Sequence, residues 1–365
     1  MQEQHKWLLK ASLLNGEEAA KAYEKWKQVS DIENLNHGEA RLLPLLSQNL
    51  QSLKIKDELT EKIKGMHRHA FLSTSRRVHQ SLPVFRTLNE KGIRFIALKG
   101  LAMNLAVYSC LSLRPMEDID FLVPKSRIAD VIDLLKEMGY QTYPPTTVLP
   151  FYFDYHHSIG FINQDRHIID VHATISDECC SDGDAHPFHQ LYETIEYLEI
   201  PFRVPQKTEL LFHTIIHGMR WNPTLPLRWA ADASAILDSS AIDWERMLKY
   251  AKEYRVVLPF LEGLTFLKEE LDQPVPDHLL NTLASLPVSS SEVREYRFHQ
   301  SEYNGAIASM VHHWDRYRHL GYKESFPAFC RRSWGIEHSW QFPLEAFKKM
   351  RKKFYWISNH TPQED

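Results

Sequence analysis

The sequence predicts an α+β fold in which a small mixed β-sheet core is flanked by N- and C-terminal helical regions. Two observations predict the sheet: acidic residues at alternate positions in short apolar segments, and a polar turn between two strand-like segments. A third observation, apolar residues at helical spacing on both sides of these segments, predicts helices for the rest of the chain.

The N-terminal region is predicted to be helical over residues 1–80, because apolar side chains recur at helical spacing over 7–14 and 19–26. The pattern changes in the core, predicted over 81–205. Here a helix over 82–88 is predicted to lead into a strand over 94–99.

The first polar feature of the core is a glycine turn followed by an acidic strand. Gly100 follows the strand over 94–99, and a helix is predicted from 101 to 110. The segment 118–123 is then predicted to be a strand. Because strand side chains alternate, Asp118 and Asp120 point to the same face, while the apolar residues between them face the core.

A second acidic strand follows further along the chain. After an amphipathic helix over 128–138, two strands over 157–163 and 167–175 flank the polar tetrad 163–166, which predicts a hairpin. Asp170 lies in the second of these strands. Three carboxylates from two adjacent strands can converge on a divalent metal, which phosphoryl and nucleotidyl transfer need.

The metal site depends on the placement of these side chains. A side chain of Asp170 that points away from Asp118 and Asp120 would argue against it. Burial of any of the three carboxylates against a lysine or arginine that neutralises it would do so as well.

Helices are predicted again in a region over 206–288 and in a smaller C-terminal region over 289–365. Three helices are predicted in the first of these regions: 209–219, 225–237 and 243–271. An interruption is predicted near Pro259, and the segment 286–291 is the best internal linker candidate.

Composition places the chain among ordinary globular proteins, with 43% hydrophobic and 25% charged residues. The net charge of −4 gives no sign of binding to long nucleic acid. Neither a signal-peptide core nor an apolar run that could span a membrane is visible in the sequence. Four cysteines without a disulfide-framework spacing favour a reducing cytoplasm.

The C-terminus carries a basic cluster, which predicts a solvated helix end or else a contact with phosphate or an acidic partner. Its members are Lys348, Lys349, Arg351, Lys352 and Lys353.

Several of these motifs together resemble a known family. Leu98-Lys99-Gly100, then Arg114 followed by Asp118-Ile119-Asp120, then Ile169-Asp170-Val171-His172, resemble the DNA polymerase β-like nucleotidyltransferase superfamily, and specifically its uncharacterised bacterial branch. The resemblance implies a nucleotidyltransferase core and a metal-dependent transfer of NMP from an NTP.

The resemblance also implies roles for particular residues. Asp118 and Asp120 would hold a pair of Mg²⁺ ions, while Asp170 would share the catalytic ion and help to activate the acceptor. Lys99 and Gly100 would open the turn that faces the phosphates.

The residue types at the remaining positions leave two interpretations each. Lys99 either contacts phosphate or is a solvated strand end, and Gly100 either admits a phosphate or is an ordinary turn glycine. Arg114 either binds a phosphate or orients the acidic cluster, the interpretation that we favour. His172 either touches substrate or supports the carboxylates.

Two further pairs lie in the helices that follow. His213 and His217 are one helical turn apart, the spacing of a zinc-peptidase helix, but the general-base glutamate of that motif is absent and zinc is disfavoured. Arg228 and Asp232, also one turn apart, are expected to form an intrahelical ion pair, with reach into the cleft as the alternative.

The function predicted is Mg²⁺-dependent transfer of NMP from an NTP, with release of pyrophosphate, to a hydroxyl or phosphate of a small molecule or modified peptide. Protein and tRNA ends are compatible acceptors, whereas long nucleic acid is not favoured. The alternative is a non-catalytic nucleotide-binding or antitoxin-like scaffold on the same fold. A zinc hydrolase using His213 and His217 is a third hypothesis.

Overall fold

The structure is a computed structural model. It describes residues 1–143, 151–180, 183–220, 222, 226–239, 241–301, 305–336 and 338–341. The basic cluster at 348–353 therefore lies outside the described residues, and so does residue 225, where one helix was predicted to begin. The division into regions at 80, 205 and 288 stays a prediction.

Five helices precede the sheet. They are α1 (Glu3–Leu13), α2 (Gly16–Val29), α3 (His37–Ala40), α4 (Leu43–Ser52) and α5 (Glu58–Glu90). The helix predicted over 82–88 is the end of the long helix α5. Asp57 begins α5 with a capping box, because its side chain accepts a hydrogen bond from the Thr60 backbone and the Thr60 hydroxyl accepts one from the Asp57 backbone.

One mixed sheet of seven strands forms the centre of the described part of the chain. Its strands are β1 (Ile96–Ala97), β2 (Asp118–Leu122), β3 (Gln141–Thr142), β4 (Ser158–Ile162), β5 (Ile168–His172), β6 (Tyr192–Tyr197) and β7 (Ile200–Pro205). Their order is β3-β4-β5-β2-β1-β7-β6. β2 runs parallel to β5 and β1 parallel to β7, whereas the other neighbours are antiparallel. The predicted small mixed sheet is thus confirmed.

The sheet differs from the prediction at three places, of which one is the short strand β3, which was not predicted. The strand predicted over 94–99 is limited to Ile96–Ala97, and Lys99 already belongs to the next helix. The hairpin of β6 and β7 was not predicted at all. Its two-residue turn places Leu198 and Glu199 at positive φ, +50° and +62°, a conformation that the usual Asn-Gly or Asp-Gly signal would have indicated.

The core lies between α5 and the sheet. Phe85 of α5 packs against Phe95, Phe121 and Phe202, with ring centroids 4.7, 5.3 and 4.9 Å away. All four side chains are fully buried. This apolar face forces the alternate residues of β2, the two aspartates, to the opposite face of the sheet.

Ten further helices lie in the described residues. They are α6 (Lys99–Ala106), α7 (Ile128–Glu137), α8 (Lys207–Gly218), α9 (Arg228–Ser239), α10 (Trp244–Glu253), α11 (Val257–Leu271), α12 (Asp277–Ser285), α13 (Ser290–His299), α14 (Ala306–His319) and α15 (Phe326–Ser333). The interruption predicted near Pro259 lies at 254–256 instead. Pro259 is in the first turn of α11, where its missing N–H costs no hydrogen bond.

Helices α8 and α9 pack closely where Gly218 meets Trp229. A Cβ atom at Gly218 would lie 2.0 Å from the Trp229 Cβ, so only glycine allows this approach. The contact fixes both helices beside the acidic face of the sheet. None of the helices in the described part of the chain combines the length and the apolar character that crossing a membrane requires.

Candidate active site

The acidic residues of two neighbouring strands meet at the centre of the sheet. In the parallel pairing of β2 with β5, Asp120 lies opposite Asp170, and Asp118 precedes it on the same face. Ligand atoms of Asp120, Asp170 and His172 all lie within 4.8 Å of one another. Asp170 is therefore turned toward Asp120.

Lys99 lies among these carboxylates. Its Nζ is 2.5 Å from Oδ1 of Asp120 and 4.0 Å from Oδ2 of Asp170. Asp120 is 2% exposed, whereas the side chains of Lys99 and Asp170 retain 21% and 22%. Lys99 thus covers Asp120, which is the arrangement named above as an argument against a metal at that carboxylate. Asp170 remains accessible, and a metal can reach Asp120 only when the ammonium moves aside.

The backbone at Lys99 is unusual for a residue with a side chain. Its φ of +41° lies in the left-handed region, where a non-glycine residue is strained. Of the two interpretations of Lys99, the solvated strand end is therefore wrong. Lys99 is the first residue of α6, and its ammonium is bound to the acidic cluster.

His172 contacts two carboxylates of the cluster through one ring nitrogen. Its Nε2 lies 3.1 Å from Oδ1 of Asp120 and 3.2 Å from Oδ2 of Asp170. The ring is fully buried, so of the two roles considered it fits support of the carboxylates. Ser158 on β4 adds a hydrogen bond from its hydroxyl to Asp170 at 3.3 Å.

The electrostatics of the site reflect crowded carboxylates. Repulsion from Asp120, together with burial, raises the pKa of Asp118 to about 6. Burial also disfavours the ionised form of Asp120, but Lys99 and His172 outweigh it and hold the pKa of Asp120 below its usual value. Asp118 is therefore the carboxylate whose charge this structure leaves least compensated.

A polar cavity of about 390 Å³ opens beside Asp118 and Asp120. Lys99 and Gly100 line one wall, and residues of α8 and α9, including His213, Arg228 and Asp232, line the opposite wall. Its volume suits a small molecule.

Gly100 is held close to Arg114 rather than at an open turn. A Cβ atom at Gly100 would lie 2.7 Å from the Arg114 Nη1 and 2.9 Å from the Met116 Cβ. The close approach predicted for this glycine thus involves the chain's own arginine.

Gly100→Ala is expected to displace the Arg114 guanidinium and to lower the free energy of unfolding by about 1–3 kcal/mol, because the added methyl overpacks the contact. Urea unfolding measures this change. Gly65→Ala is the matched control: Gly65 lies inside α5 with open space around its Cβ position, and alanine there should be neutral or stabilising. Equal stability of both variants would contradict the packing argument.

Arg114 and Asp232 form the second ion pair of the cavity. Nε and Nη2 of Arg114 donate to Oδ2 of Asp232 at 3.2 and 3.0 Å, and the Tyr108 hydroxyl donates to Oδ1 at 2.9 Å. The favoured interpretation of Arg114, direct orientation of the acidic cluster, is therefore wrong.

The intrahelical pair expected between Arg228 and Asp232 is also replaced, since Arg114 and Tyr108 take the carboxylate. Arg228 turns its Nη1 to the Leu113 carbonyl at 3.3 Å. Both residues line the cavity, as the alternative predicted.

Arg228 lines the cavity, and its guanidinium has no ion-pair partner among the described residues. Its side chain is 7% exposed, and its Nε and Nη2 find no hydrogen-bond partner among the described residues. Burial lowers the pKa of Arg228 to about 10. An anionic ligand that reached these buried nitrogens would satisfy both. Residue spacing indicated only that this arginine lies on a helix face, so its burial could not be predicted.

His213 and His217 lie on the α8 wall of the cavity, with ring centroids 6.1 Å apart. Burial lowers the pKa of both rings well below the usual value. Among the described residues, the groups able to hold a metal do not include this pair. The described residues therefore provide no third ligand for the zinc site that a hydrolase using His213 and His217 would need.

Three solved structures show a weak likeness to this chain. The lincosamide antibiotic adenylyltransferase LnuA in its lincomycin-bound form has a TM-score of 0.31 and 15% identity, over 45% of this chain and 96% of that one. An antigenic nucleotidyltransferase-like protein from Paracoccidioides brasiliensis has a TM-score of 0.38 and 12% identity, over 60% and 97%. The antibiotic-resistance factor ANT(2'')-Ia has a TM-score of 0.33 and 15% identity, over 52% and 96%.

The sequence comparison is more decisive. No curated protein sequence matches this chain. The family model described as "Uncharacterised nucleotidyltransferase" matches residues 38–272, more than half of the chain and the whole of the acidic site. The resemblance found in the motifs is thus confirmed, and the chain belongs to the uncharacterised nucleotidyltransferase family.

Proposed function

We propose that this nucleotidyltransferase moves an NMP from an NTP to a hydroxyl or phosphate acceptor in a Mg²⁺-dependent reaction that releases pyrophosphate. The observation that supports the proposal most is the register of β2 with β5, which puts Asp120 opposite Asp170. Asp118 adds a third carboxylate at the wall of the polar cavity.

The residues present fit a divalent cation. Three carboxylates provide the hard oxygen ligands that Mg²⁺ prefers, and their crowding is already offset in part by the Lys99 ammonium. We therefore assign two Mg²⁺ ions to Asp118, Asp120 and Asp170. When bound, Mg²⁺ supplies positive charge that offsets the triphosphate and favours attack at the α-phosphorus.

The chain's own residues position the reactants. Asp170 accepts the proton of the acceptor hydroxyl. The acceptor oxygen then forms a bond to the α-phosphorus while the bond to the bridging oxygen breaks, and pyrophosphate leaves. His172 keeps Asp120 and Asp170 at fixed separation through its Nε2. Lys99 exchanges its contact with Asp120 for a phosphate oxygen.

Arg228 is assigned to the triphosphate. Arg228 lines the same cavity as Asp118, its Nε and Nη2 are buried without a hydrogen-bond partner among the described residues, and a guanidinium can bind phosphate oxygens in a bidentate manner.

Arg228→Met is expected to weaken binding of Mg²⁺-ATP by about 10- to 100-fold, since a charge-assisted hydrogen bond contributes about 1.5–3 kcal/mol. The fold should keep most of its stability, because the variant removes a buried charge that has no ion-pair partner among the described residues and loses one hydrogen bond, to the Leu113 carbonyl at 3.3 Å. Calorimetry with ATP and with inorganic tripolyphosphate measures the affinities. Arg127→Met, at a surface pair with Asp130, is the control. Equal affinities in the two variants would remove Arg228 from the phosphate site.

The acceptor is proposed to be a small molecule or a modified peptide. The cavity of about 390 Å³ is of the size that such a group fills, and the net charge of −4 disfavours long nucleic acid. The reaction is proposed to take place in the cytoplasm. This compartment suits the four cysteines, none of which forms a disulfide in the structure.

The test of the function has two steps. Calorimetry with each NTP, with and without Mg²⁺, measures binding, and a pyrophosphate-release assay with hydroxylated and phosphorylated small molecules and peptides measures transfer. Metal-dependent binding and acceptor-dependent pyrophosphate release support the proposal. Binding that needs no metal, with no pyrophosphate from any acceptor, would favour the non-catalytic scaffold.

A further inference from the structure

A second group of metal-ligating side chains lies between α13 and α14. Glu295 and His299 are one turn apart on α13, and His312 faces them from α14. One ligand atom of each lies within 4.8 Å of the others. Tetrahedral Zn²⁺ separates its ligands by about 3.3 Å, a difference that small side-chain rotations can close.

The imidazoles of this group lack the hydrogen bonds that buried polar atoms normally make. Nε2 of His299 and Nδ1 of His312 are buried and have no hydrogen-bond partner among the described residues. The nearest acidic oxygen to His299 Nε2 in an ion pair, Oε1 of Glu178, is 3.7 Å away and already accepts a hydrogen bond from Arg220. Two buried nitrogens without hydrogen-bond partners, on two of the three residues of the group, require an explanation.

The surroundings of the group are charged. Glu295 lies near the carboxylate of Glu178, and Arg255, Arg220 and Arg316 offset part of this negative charge. A bound cation would add to this compensation.

The ring of His312 is also fixed in orientation. It stacks on Phe298 with centroids 4.1 Å apart and planes within 5°. It meets the ring of His299 edge to face, at 5.3 Å and 83°. Beside the group is a cavity of about 30 Å³, which has room for about one water molecule. The charged or metal-ligating residues that line it are Glu178, Arg220, Arg255, Glu295 and His299.

From this arrangement we propose a zinc-class metal site in which Glu295, His299 and His312 bind one Zn²⁺ ion. Two imidazoles and one carboxylate are a ligand set that Zn²⁺ accepts, and the small cavity supplies the place for water as a fourth ligand. The ion ties α13 to α14. The site lies outside residues 38–272, so it does not depend on the proposed nucleotidyl transfer.

Zinc binding by the full-length chain tests the proposal. The protein is stripped with a chelator, and Zn²⁺ is titrated in competition with a chromophoric chelator, with elemental analysis for stoichiometry. We expect one equivalent of zinc, a Tm that rises with zinc, and a tetrahedral visible spectrum when Co²⁺ replaces it. His312→Gln and the nearly isosteric Glu295→Gln are each expected to weaken binding by about 100-fold or more.

Two controls locate the ion. His278→Gln replaces an exposed histidine of α12 and should leave zinc binding unchanged. Asp170→Asn should leave it unchanged as well, because the acidic cluster of the sheet is a different site. The proposal is overturned if zinc is substoichiometric, if His312→Gln binds as tightly as His278→Gln, or if only Asp170→Asn loses the ion.

Discussion

Asp118→Asn is expected to abolish nucleotidyl transfer and, at the same time, to make the folded protein more stable. Asp118 makes no ion pair among the described contacts, and repulsion from Asp120 raises its pKa to about 6. Asparagine keeps the shape but removes this repulsion, so Tm should rise by roughly 2 °C or more. The same change removes a metal ligand, and kcat should fall by about 10³-fold.

Thermal unfolding and pyrophosphate release measure the two effects on the same preparation. Asp165→Asn is the control, since Asp165 is an exposed carboxylate in the turn between β4 and β5. It should change neither property. A more stable protein without activity is the signature of a residue kept for function. An Asp118→Asn enzyme that retains its activity would refute the assigned role.

The acidic face of the sheet was predictable because strand geometry leaves few choices. Once Ile119 and Phe121 are assigned to the core, alternation puts Asp118 and Asp120 on the other face. The same rule applies to Asp170, which lies between Ile169 and Val171. In the structure these two apolar residues are buried in the core, and Asp170 lies opposite Asp120, as expected. The predicted metal site also required the two strands to be adjacent, and the parallel register confirms this.

The hairpin of β6 and β7 could not be predicted from local signals. Its turn residues, Leu198 and Glu199, take positive φ values that such side chains rarely adopt. The pairing of six residues on each strand must outweigh this local cost. A turn of Asn-Gly type would have been recognised.

The pair between Arg114 and Asp232 was missed for a different reason. The two residues are 118 positions apart, so only the tertiary packing of α9 beside the segment that precedes β2 brings them together. Sequence spacing instead suggested Arg228 as the partner, because residues four apart share a helix face. Local geometry allows that pair, but tertiary packing decides which arginine takes the carboxylate and leaves the other one available for a ligand.

Lys99→Met is expected to destabilise the metal-free protein strongly and to tighten its binding of Mg²⁺. Lys99 is the closest cation to Asp120, at 2.5 Å, and Asp120 is 2% exposed. Removing one partner of a buried ion pair leaves an uncompensated charge and costs about 3–5 kcal/mol. Because the ammonium no longer competes for the carboxylates, the affinity for Mg²⁺ should rise by about tenfold or more.

Urea unfolding at increasing Mg²⁺ concentration separates these effects. In the variant, Mg²⁺ should restore most of the lost stability, because a ligand that binds only the folded state stabilises it in proportion to its affinity. Lys125→Met is the control, since the pair of Lys125 with Asp154 is half exposed and contributes about 1 kcal/mol or less. It should lose little stability and gain nothing from Mg²⁺ beyond the wild-type response. If Mg²⁺ failed to rescue Lys99→Met, the cation would not bind at Asp120. Lys99 would then be a permanent structural counter-ion, and the catalytic metal would have to use Asp118 and Asp170 without Asp120.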